Sequence, residues 1–308
     1  MNFLTPLFGQ VSKSLIRFIG CKHDGEPSFL ALMLTRGVGS LTITRVALEW
    51  VTRFPNRKKC MLRSLTALPV FNEVKSVDAV LNEVNRYSQH VLVVDDGSSD
   101  GTLALLQKRS DVYLEVHEQN RGYGAALDTA FKFAAKNDFD IVVTIDCDGQ
   151  HEPQRIPHFV EVCSNDDIDI VSGSRYLKKY EHDSEPPAQR RLINQVITGE
   201  INEQLCLNLT DAFCGFKAYR VSALRKLELT EPGYAMPLEL WVQAAAADLT
   251  IVEIPVPLIY LDEKRSFGGV LDNGETRLKY YREVLAQSIA RVSGDLVSRR
   301  TSNCGQEA

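Results

Sequence analysis

The residues best suited to chemistry form the segment Asp146-Cys147-Asp148-Gly149-Gln150, directly after the apolar run Ile141–Ile145. Oxygen-bearing side chains alternate here at positions 146, 148 and 150. Carboxylate and amide oxygens suit a hard divalent ion such as Mg²⁺ or Mn²⁺. The segment follows a strand and lacks the terminal glutamate of a helix–loop–helix calcium site. We therefore predict a magnesium or manganese site, with a solvated acidic turn as the alternative.

Three further loops follow apolar runs and carry polar or glycine residues. In Pro69–Glu73 a proline ends the run, and Asn72 is suited to cap the next helix. Val93–Thr102 contains paired aspartates that could accept hydrogen bonds from a base or a ribose. Asn120–Ala126 opens a helix with two glycines, which would let the backbone approach an anionic ligand. None of these loops has the pattern of a P-loop or of a dinucleotide-binding turn.

The elements that must position these loops alternate along the chain. Between the apolar runs lie patterns with helical spacing, such as Val74, Val77, Leu81 and Val84. Such alternation predicts an α/β fold, with a mostly parallel sheet covered by helices on both faces. Ligands of such sheets bind beyond the carboxyl ends of the strands, where all four loops would meet. The predicted strands are Ser64–Val70, His90–Val94, Val112–Val116, Ile141–Ile145 and Ile168–Ser172.

Composition narrows the possible functions. A net charge of −5 and a pI near 5.8 argue against a nucleic-acid partner. The seven cysteines are odd in number and include no Cys-x-x-Cys pair, which is typical of a reducing compartment. No apolar run reaches the roughly 18–20 residues that span a bilayer. The start of the chain does not resemble a secretory signal. We expect a cytoplasmic protein, either soluble or peripheral on the cytoplasmic face of a membrane.

Charge is distributed unevenly along the chain. The stretch up to residue 64 is basic, whereas the remainder is acidic. We predict three parts: a basic extension at 1–60 that is disordered or outside the fold, a catalytic domain at 61–270, and a C-terminal amphipathic helix and tail at 271–308. The extension could also be a targeting peptide or a membrane-surface arm, and a natural start at Met61 is an equal alternative.

The four loops together resemble the family-2 inverting glycosyltransferases of the GT-A fold, in the dolichol-phosphate mannose synthase-like branch. The resemblance runs from about Thr66 to Gly269, and its order and spacing are specific. The shared motifs are Pro69-Val70-Phe71-Asn72-Glu73, Val94-Asp95-Asp96-Gly97-Ser98, Asn120-Arg121-Gly122, Asp146-Cys147-Asp148-Gly149-Gln150-His151, Gly173-Ser174-Arg175-Tyr176 and Asp211-Ala212-Phe213-Cys214-Gly215-Phe216-Lys217-Ala218-Tyr219-Arg220.

The resemblance implies a role for each matching position. Asp146 and Asp148, helped by Gln150, would hold the metal against the donor diphosphate. Arg175 would lie near the donor phosphates or the acceptor phosphate, and Arg190 and Asn194 would face the acceptor. We expect Asp148, Arg175 and Glu239 to be catalytic. The expected nucleotide-sugar-binding residues are Pro69, Phe71, Glu73, Val93, Asp95, Asp146, Cys147, Arg175, Lys264 and Arg265.

One stretch departs from the family pattern. The synthases carry Arg…Gly-x-Ser-Lys in a loop that closes over the donor. Here Tyr260 stands where the arginine would be, and Ser266 stands in place of the lysine. Lys264 or Arg265 would have to supply the charge from a shifted register.

The acceptor decides whether the reaction needs a base. The expected reaction moves a hexose from GDP-mannose or UDP-glucose to a polyprenyl or dolichyl phosphate, whose oxygen is already anionic. A soluble hydroxyl acceptor would need a carboxylate base, for which Glu239 and Asp211 are the candidates. A non-catalytic relative that binds nucleotide sugars is a further alternative. Tyr280–Val292 is amphipathic and could lie on a bilayer or pack on its own domain.

Overall fold

The computed structural model describes residues 15–23, 26–37, 40–46, 62–261 and 269–303. The chain divides into two units, Met1–Cys60 and Met61–Ala308. Within its described residues, the first unit forms three antiparallel strands in the order β1-β2-β3. They are β1 (Leu15–His23), β2 (Glu26–Gly37) and β3 (Ser40–Val46). The sequence pattern predicts no strand in this stretch. That residues 1–60 form an extension outside the catalytic fold stays a prediction.

The second unit is built on a sheet of seven strands in the order β10-β8-β9-β7-β4-β5-β6. All neighbours pair in parallel except β9, which runs antiparallel to both β7 and β8. The predicted fold class is confirmed, and the five predicted strands match within two residues at each end. The strands are β4 (Ser64–Val70), β5 (Val91–Asp95), β6 (Tyr113–Val116), β7 (Ile141–Thr144), β8 (Ile170–Ser174), β9 (Lys217–Arg220) and β10 (Ile251–Pro255).

Helices cover both faces of this sheet. They are α1 (Val77–Val84), α2 (Thr102–Leu106), α3 (Tyr123–Lys136), α4 (Ile156–Cys163), α5 (Ala188–Leu205), α6 (Val221–Leu224), α7 (Met236–Ala246) and α8 (Gly274–Asn303), with 3-10 turns at Pro153–Arg155 and Gly269–Asp272. Side chains alternate between the two faces along each strand. In β5, Val91 and Val93 pack with α1 and α4, whereas Leu92 and Val94 pack with α3, α5, α7 and α8.

Helix α8 belongs to the same unit as the sheet. Its residues Tyr281, Val284 and Leu285 are buried in the core on the α5 and α7 side. Of the two arrangements expected for the amphipathic stretch, the structure therefore has the helix packed on its own domain. Within the described ranges, no helix combines the length and the apolar character that crossing a membrane requires.

Candidate active site

The carboxyl ends of the strands surround a cavity of about 490 Å³. The loops after β4, β5, β7 and β8 all reach it, because parallel strands end at one edge of the sheet. Helices α3, α5 and α8 complete the wall. Predicted site residues that line the cavity are Pro69, Phe71, Glu73, Asp146, Cys147, Asp148, Gln150, Arg175, Arg190 and Asn194.

Asp146 is held from three sides. The Tyr123 hydroxyl donates a hydrogen bond to its Oδ1 over 3.1 Å, and Nε2 of His151 lies 3.3 Å from its Oδ2. A Cβ on Gly215 would lie only 2.2 Å from Oδ2, so glycine is needed for the carboxylate to fit. Burial, and then the charge of Asp146, raise the pKa of Tyr123, which keeps its phenol protonated as a donor. His151 thus stabilises the turn by contacting a predicted metal ligand.

The donor set fits the predicted divalent ion. Asp146, Asp148 and Gln150 face one cavity, and Oδ1 of Asp148 accepts a hydrogen bond from the Gln150 amide over 2.9 Å, which shapes the turn. Among the residues that the structure describes, no three His, Cys, Asp or Glu side chains are grouped to hold a metal by themselves. Mg²⁺ usually takes one or two carboxylates and completes its shell with water and substrate phosphates. Two carboxylates and an amide therefore suffice.

The first two loops are joined through Asn72. Its backbone is left-handed (φ 57°), its amide donates to Oγ of Ser98, and its Oδ1 accepts from the Ser99 amide over 2.8 Å. The expectation that Asn72 caps a helix is wrong, because Ser76 precedes α1. The preference of Asn for left-handed backbone and loop bridging outweighed its preference for caps.

Val93 and Asp95 are fully buried in β5 and do not line the cavity. Oδ2 of Asp95 accepts a hydrogen bond from the Ser98 amide over 3.1 Å. Its Oδ1 is a buried acceptor with no hydrogen-bond partner among the described residues. The structure thus does not bring these two residues to the cavity surface with the other expected nucleotide-binding side chains.

Asp96, for which the sequence motifs predict no separate role, lines the cavity and fixes the start of α3. Its Oδ1 accepts from the Arg121 amide and lies 2.6 Å from Nδ1 of His117, and its Oδ2 accepts from the Gly122 amide over 2.8 Å. Paired aspartates after a strand were the available signal, but only the fold shows which of the two faces the ligand space.

The glycines at the start of α3 serve mainly to pack protein against protein. A Cβ on Gly122 would lie 2.3 Å from the Pro232 carbonyl oxygen, and one on Gly124 would lie 2.2 Å from that of Glu231. Gly122 also has a φ of 104°. The sequence pattern predicts that both glycines let the backbone approach a ligand. The structure assigns the close approach to the neighbouring segment, while Gly122 also lines the cavity.

Arg175 is fixed by a buried carboxylate. Its Nε and Nη2 donate to Asp211 over 2.7 and 2.9 Å, and Nδ2 of Asn194 donates to the same carboxylate over 2.7 Å. Burial alone would raise the pKa of Asp211, but the charge and hydrogen bonds of Arg175 hold it at about 2. Asp211 is fully buried and stays ionised, an environment unsuited to the alternative role of general base.

Glu239 lies outside the cavity, in the first turn of α7. Its side chain is 1% exposed and accepts hydrogen bonds from the Thr230 and Glu231 amides, the Thr230 hydroxyl and Arg291. These contacts hold the 230–231 loop against two helices. The geometry does not bring Glu239 to the other predicted catalytic residues. Lys264 and Arg265 lie outside the described residues.

The fold adds residues to the cavity that the sequence motifs do not indicate. Tyr234 lies just before α7, Pro237 lies in the first turn of α7, and Arg277 and Tyr281 come from α8. The shared motifs end before α8 and so do not indicate Arg277 or Tyr281. Helical spacing is the one signal for Arg277, because it falls on the same helical face as the apolar residues Tyr281 and Val284.

The model of the family described as Glycosyl transferase family 2 matches residues 66–228, more than half of the chain. This chain belongs to glycosyl transferase family 2. The resemblance found in the sequence is thereby confirmed, and so is the expected enzyme class. The family match ends before Glu239, Tyr260 and the whole of α8.

Two curated relatives and one solved structure are similar to this glycosyltransferase. It is 30% identical to an undecaprenyl-phosphate mannosyltransferase of Micrococcus luteus, over 68% of this chain and 90% of the relative. It is 29% identical to a UDP-N-acetylglucosamine–dolichyl-phosphate N-acetylglucosaminyltransferase of Methanococcus voltae, over 65% and 87%. The fold is shared with glucosyl-3-phosphoglycerate synthase of Mycobacterium tuberculosis, at a TM-score of 0.57, 19% identity and coverage of 77% and 81%.

Proposed function

We propose that this glycosyltransferase moves a hexose from a nucleotide-diphosphate sugar, GDP-mannose or UDP-glucose, to a polyprenyl phosphate with the help of Mg²⁺ or Mn²⁺. The observation that carries the proposal is a single cavity whose wall has an acidic part and a basic part. The acidic turn of Asp146 and Asp148 forms one part of its wall, and Arg175, Arg190 and Arg277 form another. The first suits a metal and a diphosphate, and the second suits a further anion. The lipid-phosphate acceptor named for the Micrococcus luteus relative supports the choice.

In this mechanism the divalent ion would neutralise the charge of the departing nucleoside diphosphate. Arg175 presents a positive charge in a fixed position to the same space, because its Nε and Nη2 both donate hydrogen bonds to Asp211. The acceptor attacks the anomeric carbon from the opposite side, which inverts its configuration. Rigid positive groups stabilise the negative charge of the leaving group more strongly than water does, because they need not reorient during the reaction.

The two candidate bases favour a phosphate over a hydroxyl acceptor. Asp211 is buried in its pair with Arg175, and Glu239 lies outside the cavity. A hydroxyl nucleophile needs a carboxylate within reach of its proton, whereas a phosphate oxygen is already ionised. A long lipid acceptor would also require the protein to work at a membrane surface, for which we propose the cytoplasmic face.

Released nucleoside diphosphate is the measurement that tests the proposal. GDP-mannose and UDP-glucose are supplied separately with Mn²⁺, together with either undecaprenyl phosphate or 3-phosphoglycerate. We expect turnover with the lipid phosphate and one donor, and loss of turnover with EDTA. Turnover with 3-phosphoglycerate alone would identify a soluble acceptor. Metal-dependent donor binding without turnover on either acceptor would indicate the non-catalytic relative.

Asp148→Ala tests the metal site itself. The Asp148 carboxylate accepts a local hydrogen bond from the Gln150 amide, worth about 1 kcal/mol, and we expect lost activity with only a small change in melting temperature. Asp166→Ala, at a surface carboxylate whose side chain is 92% exposed, is the matched control and should keep full activity. A large fall in the melting temperature of the Asp148 variant would instead favour a structural turn.

A further inference from the structure

Helices α5 and α8 run side by side in the same direction. Near their starts, a Cβ on Gly274 would lie 2.3 Å from Cδ of Gln189. Further along, Arg282 holds Glu200 through Nε at 3.0 Å and through Nη2. Residue numbers therefore rise together along both helices. Their N-terminal ends lie next to each other, with both positive dipole ends at the same side of the domain.

Each of these helix starts carries an arginine that lines the cavity. Arg190 is the third residue of α5, and Arg277 is the fourth residue of α8. Arg277 is only 3% exposed, and its Nη1 donates to the Leu271 carbonyl over 2.9 Å, which fixes its orientation. Asp272 supplies negative charge near this guanidinium, and the cavity that Arg277 lines is where a further anion would approach it.

Arg190 and Arg277 are close enough to repel each other. Burial lowers the pKa of Arg277 and the positive charge of Arg190 lowers it further, whereas Tyr281 and Asp272 act in the opposite direction. One turn further along α8, Tyr281 also lines the cavity, and burial raises its pKa to about 12, so its phenol remains a neutral hydroxyl. An anion that enters the cavity at this wall would meet two guanidinium groups close to two helix N-termini.

We propose that Arg277 is an acceptor-binding residue that holds, together with Arg190, the phosphate monoester of the acceptor. The inference rests on the proposed function and deepens it. The donor diphosphate belongs at the metal turn of Asp146 and Asp148, which leaves the α5–α8 wall for the second anion. Arg277 lies outside residues 66–228, so the family match does not assign it. Helix α8 is thus part of the acceptor site as well as of the core.

Steady-state kinetics with each substrate varied in turn test the assignment. Loss of a charge-assisted hydrogen bond should raise the KM for undecaprenyl phosphate about 10- to 100-fold in Arg277→Gln, with the KM for the donor unchanged. Arg277→Lys keeps the positive charge but loses the planar pair of donors. Its KM for undecaprenyl phosphate should therefore lie between those of the wild type and Arg277→Gln. Arg282→Gln is the matched control: this arginine lies on the same helix but outside the cavity, and its variant should behave as the wild type.

Direct binding separates this inference from the proposed function. Calorimetric titration of the wild type and the Arg277 variants with farnesyl phosphate, 3-phosphoglycerate and inorganic phosphate needs no turnover. Weaker binding of any of these in Arg277→Gln supports the phosphate site even if no polyprenyl phosphate is glycosylated, and the best-bound probe identifies lipid or soluble acceptor. Equal binding by both proteins, or a parallel rise in the KM for the donor, overturns the inference. If the Gln variant does not fold by circular dichroism, the Lys variant decides by the same two criteria.

Discussion

Replacing Asp211 by asparagine should destabilise the protein through the buried pair that holds Arg175. The carboxylate is fully buried and accepts hydrogen bonds from the guanidinium, from Asn194 and from the Phe213 amide. Asparagine keeps the shape but leaves the arginine charge without its counter-charge. Removing one partner of a buried pair costs about 3–5 kcal/mol, and we expect a loss near the lower end, because Arg175 is partly exposed.

The pH dependence of that loss follows from the pKa of Asp211. The pKa falls from an ordinary 3.8 to about 2 in the folded protein, because Arg175 outweighs the opposing effect of burial. The group therefore binds protons more weakly when folded, so its contribution is complete above the ordinary pKa and is lost as pH falls through about 2. At about 1.4 kcal/mol for each factor of ten in proton affinity, this contribution is about 2 kcal/mol.

Urea unfolding of the wild type and Asp211→Asn, followed by circular dichroism from neutral pH down to about pH 2.5, measures the loss of stability and its dependence on pH. The difference in the free energy of unfolding should be constant above about pH 5 and shrink below the ordinary pKa of the carboxyl. Asp166→Asn is the control, because Asp166 pairs with Arg220 at the surface and should cost less than about 1 kcal/mol. A loss below about 1 kcal/mol in Asp211→Asn, or a difference that does not change with pH, would refute the reasoning.

Two further predictions concern single contacts. Gly215→Ala should weaken Mn²⁺ binding, followed by titration calorimetry, because its Cβ would lie 2.2 Å from Oδ2 of Asp146. Gly199→Ala, with no atom within 4 Å of the new Cβ inside α5, is the control and should raise the free energy of unfolding by about 0.5–1 kcal/mol. Glu239→Gln should lower the free energy of unfolding by about 1–3 kcal/mol, because the amide cannot accept all four hydrogen bonds. Loss of the acidic limb, the fall in rate at low pH, from the pH–rate profile of that variant, without loss of stability, would restore Glu239 as a catalytic base.

The strands and the loops that follow them could be predicted from the sequence, because they depend on local patterns. The predicted bounds of β4, Ser64–Val70, match the structure at both ends. The acidic turn after β7 could be placed at the ligand-binding edge for the same reason, since parallel strands of one sheet end at one side. Each inference needed only the apolar period of a strand and the chemistry of the residues directly after it.

Strand β9 shows where local pattern fails. Lys217–Arg220 begins and ends with a cation, yet it pairs antiparallel between β7 and β8 in the middle of the sheet. Lys217 is 2% exposed, and its ammonium donates to the Cys214 carbonyl and lies 5.4 Å from the Trp241 ring centre. Partners far along the chain make this strand, and no window around residue 217 contains them.

The sequence by itself determined the family, the order of the motifs and the acidic turn, because those depend on residues close together in the chain. Only the tertiary structure decided that Glu239 lies outside the cavity, that Asp96 lines it while Asp95 does not, and that α8 brings Arg277 beside Arg190. These outcomes depend on how helices pack across a shared core. The energy of that packing is summed over contacts between distant segments, so it appears only when the whole domain is assembled.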